Sequence, residues 1–165
     1  MCIRDSFLNE LDHLPTAERL SINMLSYAKT PRRRRKTLEE LNAAGVFGIL
    51  NKITFTTQRT SEEGPGQCTT EKYSYPATFP RRTKISYQIF AGGKEQYIRG
   101  CHDPETHAQI MFVDDNAWTL KAAHELMPCL HVTEMRRHYF RTDPRNYKQV
   151  RHFDELREVI GEFAA

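Results

Sequence analysis

The chain has 165 residues, enough for one ordinary domain and too few for two. Hydrophobic residues make up 39% and charged residues 27%, with eight glycines and eight prolines, which excludes a disordered or collagen-like chain. No apolar run approaches the roughly 20 residues of a membrane-spanning helix, and a net charge of +3 lacks the broad basic excess of sequence-independent nucleic-acid binders. Four cysteines, Cys2, Cys68, Cys101 and Cys129, form no C-x-x-C pair, so a reducing, cytoplasmic setting is expected. His124, Cys129 and His131 match no structural zinc spacing and are set aside as ordinary residues.

Phe7, Leu8, Leu11 and Leu14 recur at helical spacing until Pro15, which predicts a short amphipathic helix. Leu20 to Tyr27 reads as a buried strand with Ser26 near its end. Thr30 is a candidate N-cap with Pro31 at the first helical position, and Leu38 and Leu41 mark the apolar face of a helix that Gly45 stops. Lys52 to Gln58 is a second strand, completing the strand–helix–strand unit from which parallel sheets are built. Residues 59–83 carry no sustained periodicity and read as a loop or small insertion, with Tyr73, Tyr75 and Phe79 offering at most a short hairpin.

Lys84 to Phe90 alternates as a strand; Ala91-Gly92-Gly93 breaks it and Lys94 opens a short helix ending at Cys101. Ala108 to Asp115 is the clearest buried strand and closes on two acids, after which Asn116 caps a helix with Leu120, Ala123, Leu126 and Met127 on its apolar face. Cys129 to Met135 is the last predicted strand, and Phe153, Leu156, Val159, Ile160 and Phe163 outline a C-terminal helix. The predicted fold is α/β, a Rossmann-like three-layer sandwich around one mainly parallel sheet.

In such sheets ligands gather beyond the carboxyl ends of the strands, where helix N-termini converge. Ser26 offers a hydroxyl there, with Tyr27 and Arg32 beside it as further substrate-binding candidates; Lys94 offers a cation for a phosphoryl group. Asp114 and Asp115 are adjacent carboxylates suited to Mg²⁺, which takes one or two carboxylates plus water and phosphate oxygens. Together these residue types suit phosphoryl transfer, where positioning and charge stabilisation dominate.

The order of these segments resembles the haloacid dehalogenase superfamily of phosphatases over residues 7–165. LSINMLS is similar to that family's second motif, with Ser26 as phosphate-binding hydroxyl. Lys94 in GGKEQYI is similar to the third-motif lysine, and IMFVDDNAWTLKAAHELM to the fourth motif, with Asp114 and Asp115 as magnesium ligands. The final strand with His131, followed by HFDELREVI, resembles the end of such domains. The resemblance implies a Mg²⁺-dependent phosphohydrolase that acts on a phosphate monoester through an aspartyl-phosphate intermediate. The partner is then a phosphorylated small molecule or a nucleic-acid end, and the absence of a large insertion between Ser26 and Lys94 suits large substrates.

The family's first motif, a strand ending in D-x-D, has no counterpart here: Asp12 lies in a helix-like segment, and Asp103, Asp143 and Asp154 do not end apolar runs. Met1-Cys2-Ile3-Arg4-Asp5-Ser6 resembles the in-frame translation of a sequencing adapter, so truncation is the economical account, and the chain is expected to be inactive for want of its nucleophile. The missing strand would lie between the Leu20 to Tyr27 and Ala108 to Asp115 strands. These are then expected either to stand apart, at about twice the 4.8 Å strand spacing, or to collapse together.

Three other readings compete. IMFVDDN also resembles the first strand and acidic pair of a response-regulator receiver, although too little chain follows Asp115 for the rest of that fold. A nucleotide-sugar glycosyltransferase fits LSINMLSY as first strand and VDD as metal-binding acids, without an evident nucleotide-binding acid. A nucleic-acid-binding module or localisation signal would use Arg32 to Lys36; a solvated helix face is the commoner meaning of such a run. Cations at a helix N-terminus oppose its dipole, so these five are unfavourable unless an anion lies near.

Overall fold

The computed structural model describes residues 20–59, 66–75, 84–101, 109–127, 130–135 and 148–165. The adapter-like residues and the helix expected over Phe7 to Leu14 fall outside them, as do Phe79, Cys129 and Asp143. The described chain is α/β: a mixed sheet of four strands, a parallel sheet of three, and four α-helices. The fold class is as the sequence predicts, but the strands form two sheets where one was expected.

The first sheet begins with β1 (Asn23–Tyr27), which pairs in parallel with β2 (Lys52–Thr56), and β2 pairs in parallel with β4 (Lys84–Phe90). Helix α1 (Pro31–Ala44) crosses from β1 to β2 between the expected signals: Thr30 Oγ1 accepts from the Arg33 N–H, and Pro31 fills the first turn. Gly45 ends it at φ 73°, a left-handed conformation that costs any residue with a Cβ, and donates its N–H to Asn42 O. A 3₁₀ turn, Val46–Gly48, leads into β2.

Residues 59–83 are not simply a loop. Cys68–Ser74 forms β3, antiparallel to β4 over its whole length, and is the outer strand of the sheet order β1-β2-β4-β3. Every β3 side chain but that of Tyr73 is exposed. Its extended state comes from the β4 ladder, so it carries no apolar alternation to read.

After β4 comes α2 (Lys94–Cys101), and then the second sheet: β5 (Met111–Asp114), β6 (His131–Met135) and β7 (Lys148–Val150), all parallel in that order. Helix α3 (Ala117–Leu126) joins β5 to β6, and α4 (Phe153–Ala164) follows β7. Strand β6 is therefore not the last; β7 contributes three residues, too short a run for periodicity to mark. Asp154 opens α4 in its first turn, as the sequence implies.

Three apolar clusters hold the elements. Phe55, Leu38, Phe47 and Tyr87 fill the space between α1 and the first sheet. A second cluster joins Val46, Leu41 and Ile22 to Val150, Leu156, Met111 and Val113, and a third joins Leu25 to Ile98, Phe112, Leu120 and Val132. Leu25 of β1 and Ile22, which leads into it, thus share apolar clusters with residues of β5. Among the described residues no hydrogen-bonded ladder links β1 to β5. The directly paired arrangement that would leave no place for a strand between them is not what forms.

Candidate functional site

The carboxyl ends of both sheets lie on one side of the molecule, because the residue that opens α2 after β4 touches the residue that ends β5. Lys94 Nζ donates to Asp114 Oδ2 at 2.5 Å, twenty positions apart in the chain. The lysine side chain is 19% exposed and the aspartate 5%, so this is a largely buried pair. Asp114 Oδ1 accepts the Asn116 N–H at 2.9 Å, which engages both carboxylate oxygens. Asn116 in turn caps α3, its Oδ1 accepting from the Trp118 and Thr119 N–H groups.

Local structure aims Lys94. Gly92 and Gly93 are buried in the turn after β4, and a Cβ on Gly92 would run into the Phe90 ring and the Gln96 side chain. Gly92 O accepts the Gln58 N–H at 3.2 Å, tying the segment after β2 to the turn before α2. One helical turn on, Thr54 Oγ1 donates to Tyr97 Oη at 3.0 Å, and the Tyr97 ring meets Phe90 edge to face. Burial pushes the Tyr97 hydroxyl up to about 12. The helix that carries Lys94 is therefore fixed to β2 by a partly buried hydrogen bond.

Asp115 follows at the end of β5, partly exposed. Ser26 lies in β1 in register with Phe55, partly exposed, and Tyr27 ends that strand opposite Thr56. Arg32 is exposed in the first turn of α1. All lie at the carboxyl edge, and Lys94 is joined to Asp114; among the described residues no hydrogen bond or ion pair links Ser26 or Arg32 to either of them.

The basic run is not one solvated face. Arg34 is buried, and its Nη1 donates to Ala28 O at 3.2 Å and Lys29 O at 3.1 Å, closing the β1–α1 connection. Arg35 lies over the Tyr73 ring, 5.5 Å from its centroid, and Lys36 pairs with Glu40. Lys29, Arg32 and Arg33 remain exposed around the start of the helix.

Sequence reasoning passed over Thr54, Thr56, Tyr97 and Arg59. Thr56 is fully buried at the end of β2 between Tyr27 and Phe90, with an Oγ1 that makes no hydrogen bond. The signal was available in KITFT, where threonines alternate with Ile53 and Phe55: one face is apolar, and the other carries hydroxyls that need partners. Arg59 holds its guanidinium over the Tyr27 ring, 5.3 Å from the centroid, and nothing in the sequence marks that contact.

For Mg²⁺ the donor set is Asp114 and Asp115, a count that ion accepts when water and phosphate oxygens complete its shell. Lys94 already neutralises Asp114, so a divalent cation would share that carboxylate with an ammonium. Among the described residues no third His, Cys, Asp or Glu joins them. No described helix is long and apolar enough to cross a membrane. No family model matches the chain, and no curated protein or solved structure shows significant similarity to it.

Proposed function

We propose that the carboxyl edge binds a phosphate monoester and that the chain is the core of a phosphohydrolase of the haloacid dehalogenase type. The observation that supports this reading best is the Lys94–Asp114 pair, which brings together the residues matching that family's third and fourth motifs, one from the helix after the first sheet's β4 and one from the end of β5 in the second sheet. Lys94 is held by its glycine turn and by α2 at the start of a helix, so its ammonium and the helix N-terminus both favour an anion. Phosphate draws Lys94 into a shared contact, while Asp114 keeps the ammonium oriented and limits its motion to the carboxyl edge. Ser26 donates a hydroxyl from the end of β1, with Tyr27 and Arg32 lining the approach. When bound, Mg²⁺ would be held by Asp114 and Asp115 and supplies positive charge to phosphoryl oxygens.

Covalent turnover needs a carboxylate that attacks phosphorus while the substrate's alkoxide leaves with a proton, then a water that displaces phosphate from the acyl phosphate. No D-x-D is present to supply that carboxylate or the proton donor. Binding without hydrolysis is the expected behaviour. Titration with inorganic phosphate followed by ³¹P NMR should show saturable binding that Lys94→Met abolishes, with no release of phosphate from a phenyl phosphate in Mg²⁺. Turnover by this chain that Asp114→Asn removes would place the nucleophile elsewhere and overturn the assignment; phosphate binding untouched by Lys94→Met would overturn the site.

A further inference from the structure

Two features of the carboxyl edge exceed what a site for a single phosphate needs. The first is charge: Lys29, Arg32, Arg33 and Arg59 are all exposed there, from the β1–α1 connection, the first turn of α1 and the segment after β2, and that first turn contains no acid. Like charges gathered at a helix N-terminus repel one another and oppose the dipole, so the arrangement is stabilised by a partner that brings several negative charges. The second is aromatic surface. Trp118 is 82% exposed in the first turn of α3, two residues after the Asn116 cap and just beyond Asp114 and Asp115. At the end of β1, Tyr27 carries the Arg59 guanidinium on its ring. Exposed cations together with an exposed indole near a phosphate site are the chemistry of single-stranded nucleic-acid binding, in which bases stack on aromatic rings and cations track the backbone.

We infer that the phosphorylated group this edge receives is the terminal phosphate of a single-stranded nucleic acid, with Trp118 as the base-stacking face, Tyr27 carrying Arg59, and Lys29, Arg32, Arg33 and Arg59 on the backbone phosphates. The inference rests on the phosphate site at Lys94 and names its substrate class. It favours a polynucleotide over a sugar phosphate, which has neither an aromatic base to stack nor further phosphates for four cations. It also gives the exposed part of the arginine run a role separate from that of buried Arg34, which closes the backbone beneath it.

Trp118 is the only tryptophan of the chain, so its fluorescence reports on this position alone. The full chain is titrated with a short oligodeoxythymidylate carrying a terminal phosphate, with its unphosphorylated twin, with inorganic phosphate and with a duplex of the same length. Circular dichroism checks the fold of each variant. The phosphorylated strand should quench Trp118 and bind tightest, and inorganic phosphate should leave the fluorescence unchanged. Trp118→Ala should weaken strand binding, read by anisotropy of a labelled strand, by about tenfold. Arg32→Gln with Arg33→Gln should lower the slope of log affinity against log salt by about 1.4, roughly 0.7 for each strand phosphate that no longer meets a cation. Lys94→Met should remove the advantage of the terminal phosphate and leave the unphosphorylated twin unaffected.

No change in Trp118 emission at saturating strand, equal affinity for the duplex, or a salt slope untouched by the arginine substitutions would overturn the inference. Phosphate binding that depends on Lys94 without any strand binding would overturn it while the phosphate site stands. Strand binding that gains nothing from the terminal phosphate would overturn the placement of its end at Lys94.

Discussion

Removing Lys94 should destabilise the protein more than removing the charge of Asp114, because the two partners are buried unequally. At 2.5 Å their attraction is about 7 kcal/mol at an effective dielectric of about 20, and much of that offsets the water each group gave up. Lys94→Met leaves a carboxylate that is 5% exposed with, among the described residues, only the Asn116 N–H as partner, and a carboxylate on a short side chain cannot reach solvent. Breaking a buried pair in this way typically costs about 3–5 kcal/mol; the 19% exposure of the lysine places this case near the low end, about 3 kcal/mol. Asp114→Asn keeps an oxygen for the Asn116 N–H and leaves an ammonium on a long stem that swings outward, so about 1.5 kcal/mol is expected. In a chain of this size the lysine variant should melt roughly 6–12 °C lower. The double variant leaves no unpaired charge and should recover part of the loss, giving a coupling of about 1 kcal/mol or more in a double-mutant cycle by urea unfolding. Additive single effects, or an aspartate variant less stable than the lysine variant, would refute the claim that this pair holds the two sheets' carboxyl ends together.

The tyrosines make the fold sensitive to alkali. Tyr73, Tyr87 and Tyr97 all ionise later in the folded chain than in the unfolded one, chiefly through burial. The unfolded state therefore loses protons first, and urea-unfolding stability should fall as pH rises from 10 towards 12, with a shallower fall in Tyr97→Phe; a flat profile would contradict it. Gly92→Ala should displace Phe90 or Gln96 and weaken phosphate binding, whereas Gly48→Ala, with nothing within 4 Å of the added carbon, should leave binding unchanged. Thr30→Ala should cost about 1 kcal/mol by removing the cap of α1, and Gly45→Ala a similar amount through its φ of 73°; loss of neither would mean that α1 draws its stability from the Leu38 cluster alone.

The helices were legible because their signals are local. Thr30-Pro31 and Gly45 bracket α1, Asn116 caps α3, and the spacing of Leu156, Val159 and Ile160 sets the buried face of α4. Strands that bury both faces or alternate, such as β2 and β4, were legible for the same reason, and so were Lys94 and Asp114 as residues placed where a strand stops. The sequence by itself determined these elements and the α/β class, since each depends on neighbours within a turn or two. Tertiary structure alone decided what depends on pairing between distant segments: β3 exists because β4 offers it a ladder, and β7 because β6 does. It also split the strands into two sheets, turned Arg34 inward while its neighbours face water, set Arg59 on Tyr27, and joined Lys94 to Asp114. Each of these is a contact between residues whose separation along the chain leaves no periodicity to read, and its energy appears only once the packed core has brought the partners together.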